Sequence, residues 1–333
     1  MRHAHSGKSE CENIVKLVIV PERLLTWTHF LLIEISHSCY PFYLTLHTPH
    51  SNKVRAFLDY SGIKYRVVEV NPMTKAEKKS NPQLAATKEV PVLMINGKLL
   101  LDSTQIIKNL NAIMNLYRDA KSQHVVTPDE ESSLAFVDQR VVILTAPNIY
   151  RSFRESIDSF DYIAQNSQLS KNTGTVTLLA TKYVGAVMMY LISEKKLKKK
   201  YNITDPRQMM YQALAEWSEH IHRQARRLSQ TAQCNGQKGC SQVYEPFNFA
   251  RLMFVLVCGY SLLICFSSRI SGNRGQRFRG GAQPNLADIT CFGVIRSLQN
   301  YATGRDIMNP ANTSKEFVDW YRNVEQIVTK NKA

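Results

Sequence analysis

The stretch HTPHSNKVRAFLDYSGIKYRVVEV, residues 47–70, decides the fold. Ser51 is placed to cap a helix, and Val54, Phe57 and Leu58 then fall on one face of it. Gly62 stands where such a helix would end. The run KYRVVEV that closes the stretch is β-branched and of strand length, and FYLTL (42–46) supplies a strand ahead of the helix. A strand–helix–strand unit of this kind makes a parallel pair, because joining parallel strands takes a crossover of helical length.

Further along, EVPVLMINGKLLLDSTQIIKNL (89–110) reads as a hairpin followed by a helix, with Asn96-Gly97 as the two-residue turn between apolar runs. Asp102 and Ser103 stand where the second strand hands over to that helix. They read either as an ordinary N-cap or, together with the first-turn N–H groups, as a receptor for an anion. After about Tyr117 the strand signals stop. Helical periodicity dominates 130–230 and 284–330, as where Pro206 opens a helix that aligns Met210, Ala213, Leu214, Trp217 and Ile221. Thr127-Pro128-Asp129 marks a linker region over 119–145. In PNLADITCFGVI, Asn285 and Asp288 have capping-box spacing, a structural rather than a catalytic signature. The residues alone thus predict an α/β domain followed by an all-helical one.

Bulk properties set limits. A chain of 333 residues with 44% apolar and 21% charged residues buries a large core. The net charge of +15 raises nucleic acid as a partner, but the densest run, KKLKKK (195–200), follows the apolar YVGAVMMYLIS and reads as a solvated helix C-terminus. No nucleic-acid partner is expected. Seven cysteines at irregular spacings argue against a disulfide scaffold, and Cys234, Cys240, Cys258 and Cys265 match no zinc pattern, so no metal is expected. MRHAHSGKSECE carries no readable targeting signal. LLTWTHFLLIEI (24–35) and the charge-free run Leu252–Phe266 fall short of the roughly 20 residues of a membrane span.

Taken together, KVRAFLDYSGIKYRVVEVNP, KEVPVLMINGK and LLDSTQII resemble the type-2 prostaglandin E synthases, a branch of the glutathione transferase-like superfamily. NIYRSFRESIDSFDYI, KYVGAVMMYLISEKKLKKKYN and RFRGGAQPNLADITCFGVIRSL extend the likeness, in order, into a helical part. The resemblance implies a two-domain α+β fold. A thioredoxin/glutaredoxin-like N-terminal domain would occupy 41–118, and an all-helical glutathione transferase C-terminal-like domain 146–330, after an unmatched segment 1–40. It also implies glutathione as cofactor with haem besides, a homodimer, and glutathione-dependent isomerisation of a small lipid, the prostaglandin endoperoxide, to prostaglandin E. Peripheral membrane association and a mitochondrial or other intracellular membrane location come with the same likeness.

By that likeness Pro91 matches the cis-proline of the thioredoxin fold, and Val90 offers backbone bonds to the cysteinyl part of glutathione. Asp102 and Ser103 match the pair that holds the γ-glutamyl end, which favours the ligand reading of both. The departure lies in the opening stretch. The family's Cys-Pro-x-Cys falls on Thr48, Pro49, His50 and Ser51, and its active-site tyrosine on Thr45. Thr48 and Ser51 are therefore the expected catalytic positions, but with hydroxyls that no positioned base ionises. Thr48 is expected to donate a hydrogen bond to the glutathione sulfur, and His50 reads as an acid or base there or, more simply, as an exposed loop histidine without a role. Residues 232–273 are an insertion where the relatives have a short loop, and read most simply as translated intron sequence. The rival to an isomerase is a catalytically weak or inactive glutathione- or haem-binding module of the same fold.

Overall fold

The computed structural model describes residues 40–44, 48–70, 78, 82–87, 90–95, 98–116, 118–120, 123–166, 175–237 and 277–332. Thr45, the Asn96-Gly97 turn, segment 1–39 and nearly all of the expected insertion lie outside the described residues.

The strands β1 (Tyr40–Leu44), β2 (Tyr65–Glu69), β3 (Val92–Ile95) and β4 (Lys98–Leu101) form a 4-stranded mixed sheet in the order β2-β1-β3-β4. β1 and β2 are parallel, with Tyr40 opposite Tyr65 and Leu44 opposite Glu69, and α1 (Pro49–Tyr60) is the crossover that the sequence predicts. β3 runs antiparallel to β1 and to β4. Phe42 and Leu44 are buried on the strand, and α1 brings Val54, Phe57 and Leu58 into the same core. The helix ends as expected, with Gly62 at φ 65°, in the left-handed region that glycine enters without a Cβ clash. Its start differs from expectation. Thr48, not Ser51, is the N-cap, its Oγ1 accepting from the Ser51 N–H at 3.4 Å. Pro49 fills the first helical position, where no donor is needed, so the cap falls one residue before it.

A short helix, α2 (Pro82–Ala85), precedes β3, and α3 (Ser103–Leu116) follows β4. The helical part begins at Pro128, two residues before the helical periodicity read over 130–230. α4 (Pro128–Phe136) runs through a π-helical stretch (Val137–Val142) into α5 (Ile143–Ile149), so most of the expected linker region 119–145 is helix. Thr127-Pro128-Asp129, placed in the linker region from the sequence, is a helix start. Thr127 accepts from the Glu130 N–H, and Asp129, Glu130 and Glu131 crowd the first turn, where negative charge meets the helix dipole favourably.

α6 (Phe153–Asn166) packs on α7 (Thr175–Leu191), which continues through Ile192–Leu197 into α8 (Lys198–Tyr201). Lys195, Lys196, Lys199 and Lys200 are exposed at that C-terminal end, as the charge pattern predicts. α9 (Pro206–Gln237) buries Met210, Ala213, Leu214, Trp217 and Ile221. α10 (Leu286–Arg296), α11 (Ala302–Ile307) and α12 (Lys315–Asn331) complete the chain. Among the described residues no helix is long and apolar enough to cross a membrane.

α10 organises the helical part. The predicted capping box is present: Asn285 Oδ1 accepts from the Asp288 N–H at 2.9 Å, and Asp288 Oδ2 from the Asn285 N–H at 3.1 Å. The same buried carboxylate accepts from the Arg279 and Gly280 N–H groups and from Trp320 Nε1 at 2.8 Å. Burial pushes its pKa up while these donors pull it down. The Leu286 N–H donates at 2.7 Å to Glu130, so a carboxylate from α4 also sits on the start of α10.

α1 crosses α10 at Gly293. A Cβ there would lie 2.5 Å from the Asn52 carbonyl oxygen and 2.8 Å from Lys53 Cα, so only glycine fits without movement of backbone. Ion pairs flank the crossing: Asp59 accepts from Arg296 at 2.8 Å, and buried Lys53 donates to Asp138 of the π-helical stretch. Gly293→Ala should therefore cost about 1–3 kcal/mol, the usual penalty of overpacking. Thermal unfolding checks this, and an unchanged midpoint would show that the helices separate freely.

Candidate functional site

The starts of α1 and α3 lie together beside the loop that enters β3. They border a cleft of about 550 Å3 whose walls include His50, Thr87, Val90, Pro91, Asp102 and Ser103. The Val90-Pro91 peptide is cis, as the sequence likeness implies. Behind the loop, buried Lys78 donates to the Thr87 carbonyl oxygen at 2.6 Å, which fixes that wall.

Asp102 is the N-cap of α3. Its Oδ1 accepts from the Thr104 N–H at 2.9 Å and from the Gln105 N–H at 3.0 Å. Its φ is 63°, a region few non-glycine residues enter and one that aspartate tolerates better than most. Such strain concentrates at sites of function. The capping and ligand readings of Asp102 are therefore compatible at one exposed side chain. Ser103 is buried at the first helical position, and its Oγ is 3.3 Å from His50 Nδ1.

A network built on buried Lys53 ties α1 to the start of α3. Lys53 Nζ donates to Thr104 Oγ1 at 3.0 Å and to Asp138, and Thr104 Oγ1 donates to Asp138 Oδ2 at 2.9 Å. One ammonium thus links α1, α3 and the π-helical stretch, so none of the three shifts without uncovering a buried charge.

The positions of the family cysteines turn inward on each other. Thr48 Oγ1 donates to Ser51 Oγ at 2.7 Å, and Ser51 is fully buried. Neither residue is in the wall of the cleft. His50, which the sequence leaves as a loop histidine, instead sits in the first turn of α1 and is part of that wall. Val90, Pro91, Asp102 and Ser103 are brought together as expected. Missed by the sequence reading are the Lys53–Asp138 network and the part of Thr87. A lysine in the middle of an apolar helix face was the available signal.

The donor set suits glutathione. Its zwitterionic γ-glutamyl end needs an anion acceptor for the ammonium and N–H or O–H donors for the carboxylate, which Asp102 and Ser103 at a helix start provide. For haem, the described cleft offers the single imidazole of His50, already shared with Ser103. Among the described residues no cluster could hold a metal ion.

Residues 43–116, which hold the cleft, match the family "Glutathione S-transferase, N-terminal domain". Over 84% of its length the chain is similar to prostaglandin E synthase 2 of Danio rerio at 26% identity, covering 68% of that protein. The Mus musculus prostaglandin E synthase 2 matches at 24% identity with the same coverage. Both bear out the resemblance read from the sequence. Among solved structures, glutathione transferase GSTFuA3 from Phanerochaete chrysosporium is similar at 13% identity and a TM-score of 0.46, covering 88% of this chain and 97% of that one.

Cys291 cannot supply the missing thiol. It is fully buried on α10, and burial holds its pKa well above the ordinary thiol value. In the native protein it should resist alkylation at neutral pH and react only after denaturation. Site-resolved mass spectrometry reads this, and rapid native labelling of Cys291 would contradict the packing of α10.

Proposed function

We propose that the chain binds glutathione in the cleft between the starts of α1 and α3, and with it isomerises a prostaglandin endoperoxide to prostaglandin E. The observation that carries this reading is the convergence of the cis Val90-Pro91 loop, Asp102 and Ser103 on one cleft. Bound there, glutathione would supply the thiol that the chain lacks at Thr48 and Ser51.

The chain's own residues do the binding and orienting. The Val90 backbone pairs with the peptide of the tripeptide, in the manner of an added strand. Ser103 donates from its N–H and Oγ to the α-carboxylate, and Asp102 accepts from the ammonium. The apolar side chains of Val90, Pro91 and Leu101 leave room beside the thiol for an apolar substrate. The homodimer belongs to the same reading. Leu179, Tyr183, Val184, Val187, Met188 and Leu191 leave an apolar face of α7 exposed, and such faces mark interfaces.

A second reading, a glutathione-binding module without turnover, is favoured by the Thr48–Ser51 bond, which leaves no protein nucleophile at the helix start. Both readings need the ligand. Asp102→Asn keeps the cap oxygen and removes the charge, and should weaken glutathione binding by about 1.5–3 kcal/mol. Calorimetric titration is the measurement. Equal affinities would place glutathione elsewhere, and an endoperoxide isomerase assay on the glutathione-bound protein then separates enzyme from module.

A further inference from the structure

In thioredoxin-like sites the thiol at a helix start is ionised by the helix end and by nearby cations. Here the helix start is intact but the hydroxyl of Thr48 is directed at Ser51. The group that α1 presents to the cleft is His50, two residues after the cap, with its Nδ1 3.3 Å from Ser103 Oγ. Ser103 is buried and belongs to α3, so the contact fixes the imidazole across the cleft.

We propose that His50 is the proton acceptor for a thiol bound in this cleft, so that the chain exchanges a resident cysteine for a histidine that ionises a borrowed one. The inference rests on the glutathione reading above. The step is a proton transfer and nothing more. The S–H bond breaks, an N–H bond forms on the imidazole, and the pair becomes thiolate and imidazolium with no net change of charge or oxidation state. Imidazole suits the task because its ordinary pKa, about 6.5, lies nearest neutrality among side chains.

Among the described residues a carboxylate stands on the same cleft as His50. Asp102 shares the cleft wall, and the Lys53 ammonium, one turn along α1, is neutralised by Asp138. Lys78 lies behind Thr87 and is engaged with its carbonyl oxygen. Ser103 is able to accept from a protonated Nδ1, so the bond survives the transfer.

The test uses the full chain and His50→Asn, whose amide keeps a hydrogen-bonding group within reach of Ser103. The ultraviolet absorbance of the thiolate is titrated with pH for bound glutathione, and calorimetry gives affinities for glutathione and for S-methylglutathione, which has no thiol proton. In the unsubstituted protein the thiol midpoint should lie about one pH unit or more below that of free glutathione. His50→Asn should abolish most of that shift while leaving S-methylglutathione affinity within about twofold. An equal midpoint in both proteins overturns the proposal and leaves glutathione binding standing. Equal weakening of both ligands makes His50 a binding residue and overturns it too. If the unsubstituted protein binds neither ligand, the glutathione reading itself has failed.

Discussion

Everything near the cleft depends on how α1 is seated. The helix lies against α10 at Gly293, close enough that one added carbon would strike its backbone, and charges pin it on both sides of that contact. Asp59 holds Arg296 and also accepts from the Tyr65 hydroxyl at 2.8 Å, so the end of α1, β2 and α10 share one carboxylate. Lys53 does the same nearer the start, with Asp138 and Thr104. One member of each pair, Lys53 and Asp59, is buried, and the value of these pairs lies less in net stability than in the cost of leaving that buried charge alone, several kcal/mol. Such arrangements specify one register of packing.

The consequence for the cleft is geometric. With α1 fixed and Thr104 held by the same lysine, the first turns of α1 and α3 have a set separation, and the cis Val90-Pro91 loop closes the third side. A ligand with a carboxylate, an ammonium and a peptide group is met by groups already in place, and preorganisation of this kind spares affinity the cost of ordering the site. Among the described residues no accessible thiol borders the cleft. Cys291 is too deep in α10, and Thr48 and Ser51 satisfy each other.

The local parts of this account are written locally in the sequence. A helix between strands, a glycine after Tyr60, Asp102-Ser103 at a strand-to-helix junction and the Asn285/Asp288 box all involve residues within a few positions of each other, while the cis-proline before Val92 was implied by the family likeness. Thr-Pro starts a helix at both Thr48-Pro49 and Thr127-Pro128, although the sequence reading puts the first cap at Ser51 and the second pair in a linker region. What remained hidden joins distant positions. Lys53 finds Asp138 and Asp59 finds Arg296 across a large part of the chain, and His50 gains meaning only when α3 brings Ser103 beside it. No periodicity reports such pairs.

Amide hydrogen exchange with and without glutathione tests the central claim most directly, because the cleft is defined by backbone groups as much as by side chains. The account predicts slowed exchange at Val90, at Ser103 and in the first turn of α1, with little change along α6 and α7. Protection confined to the helical part, or no protection at any glutathione concentration, would contradict it.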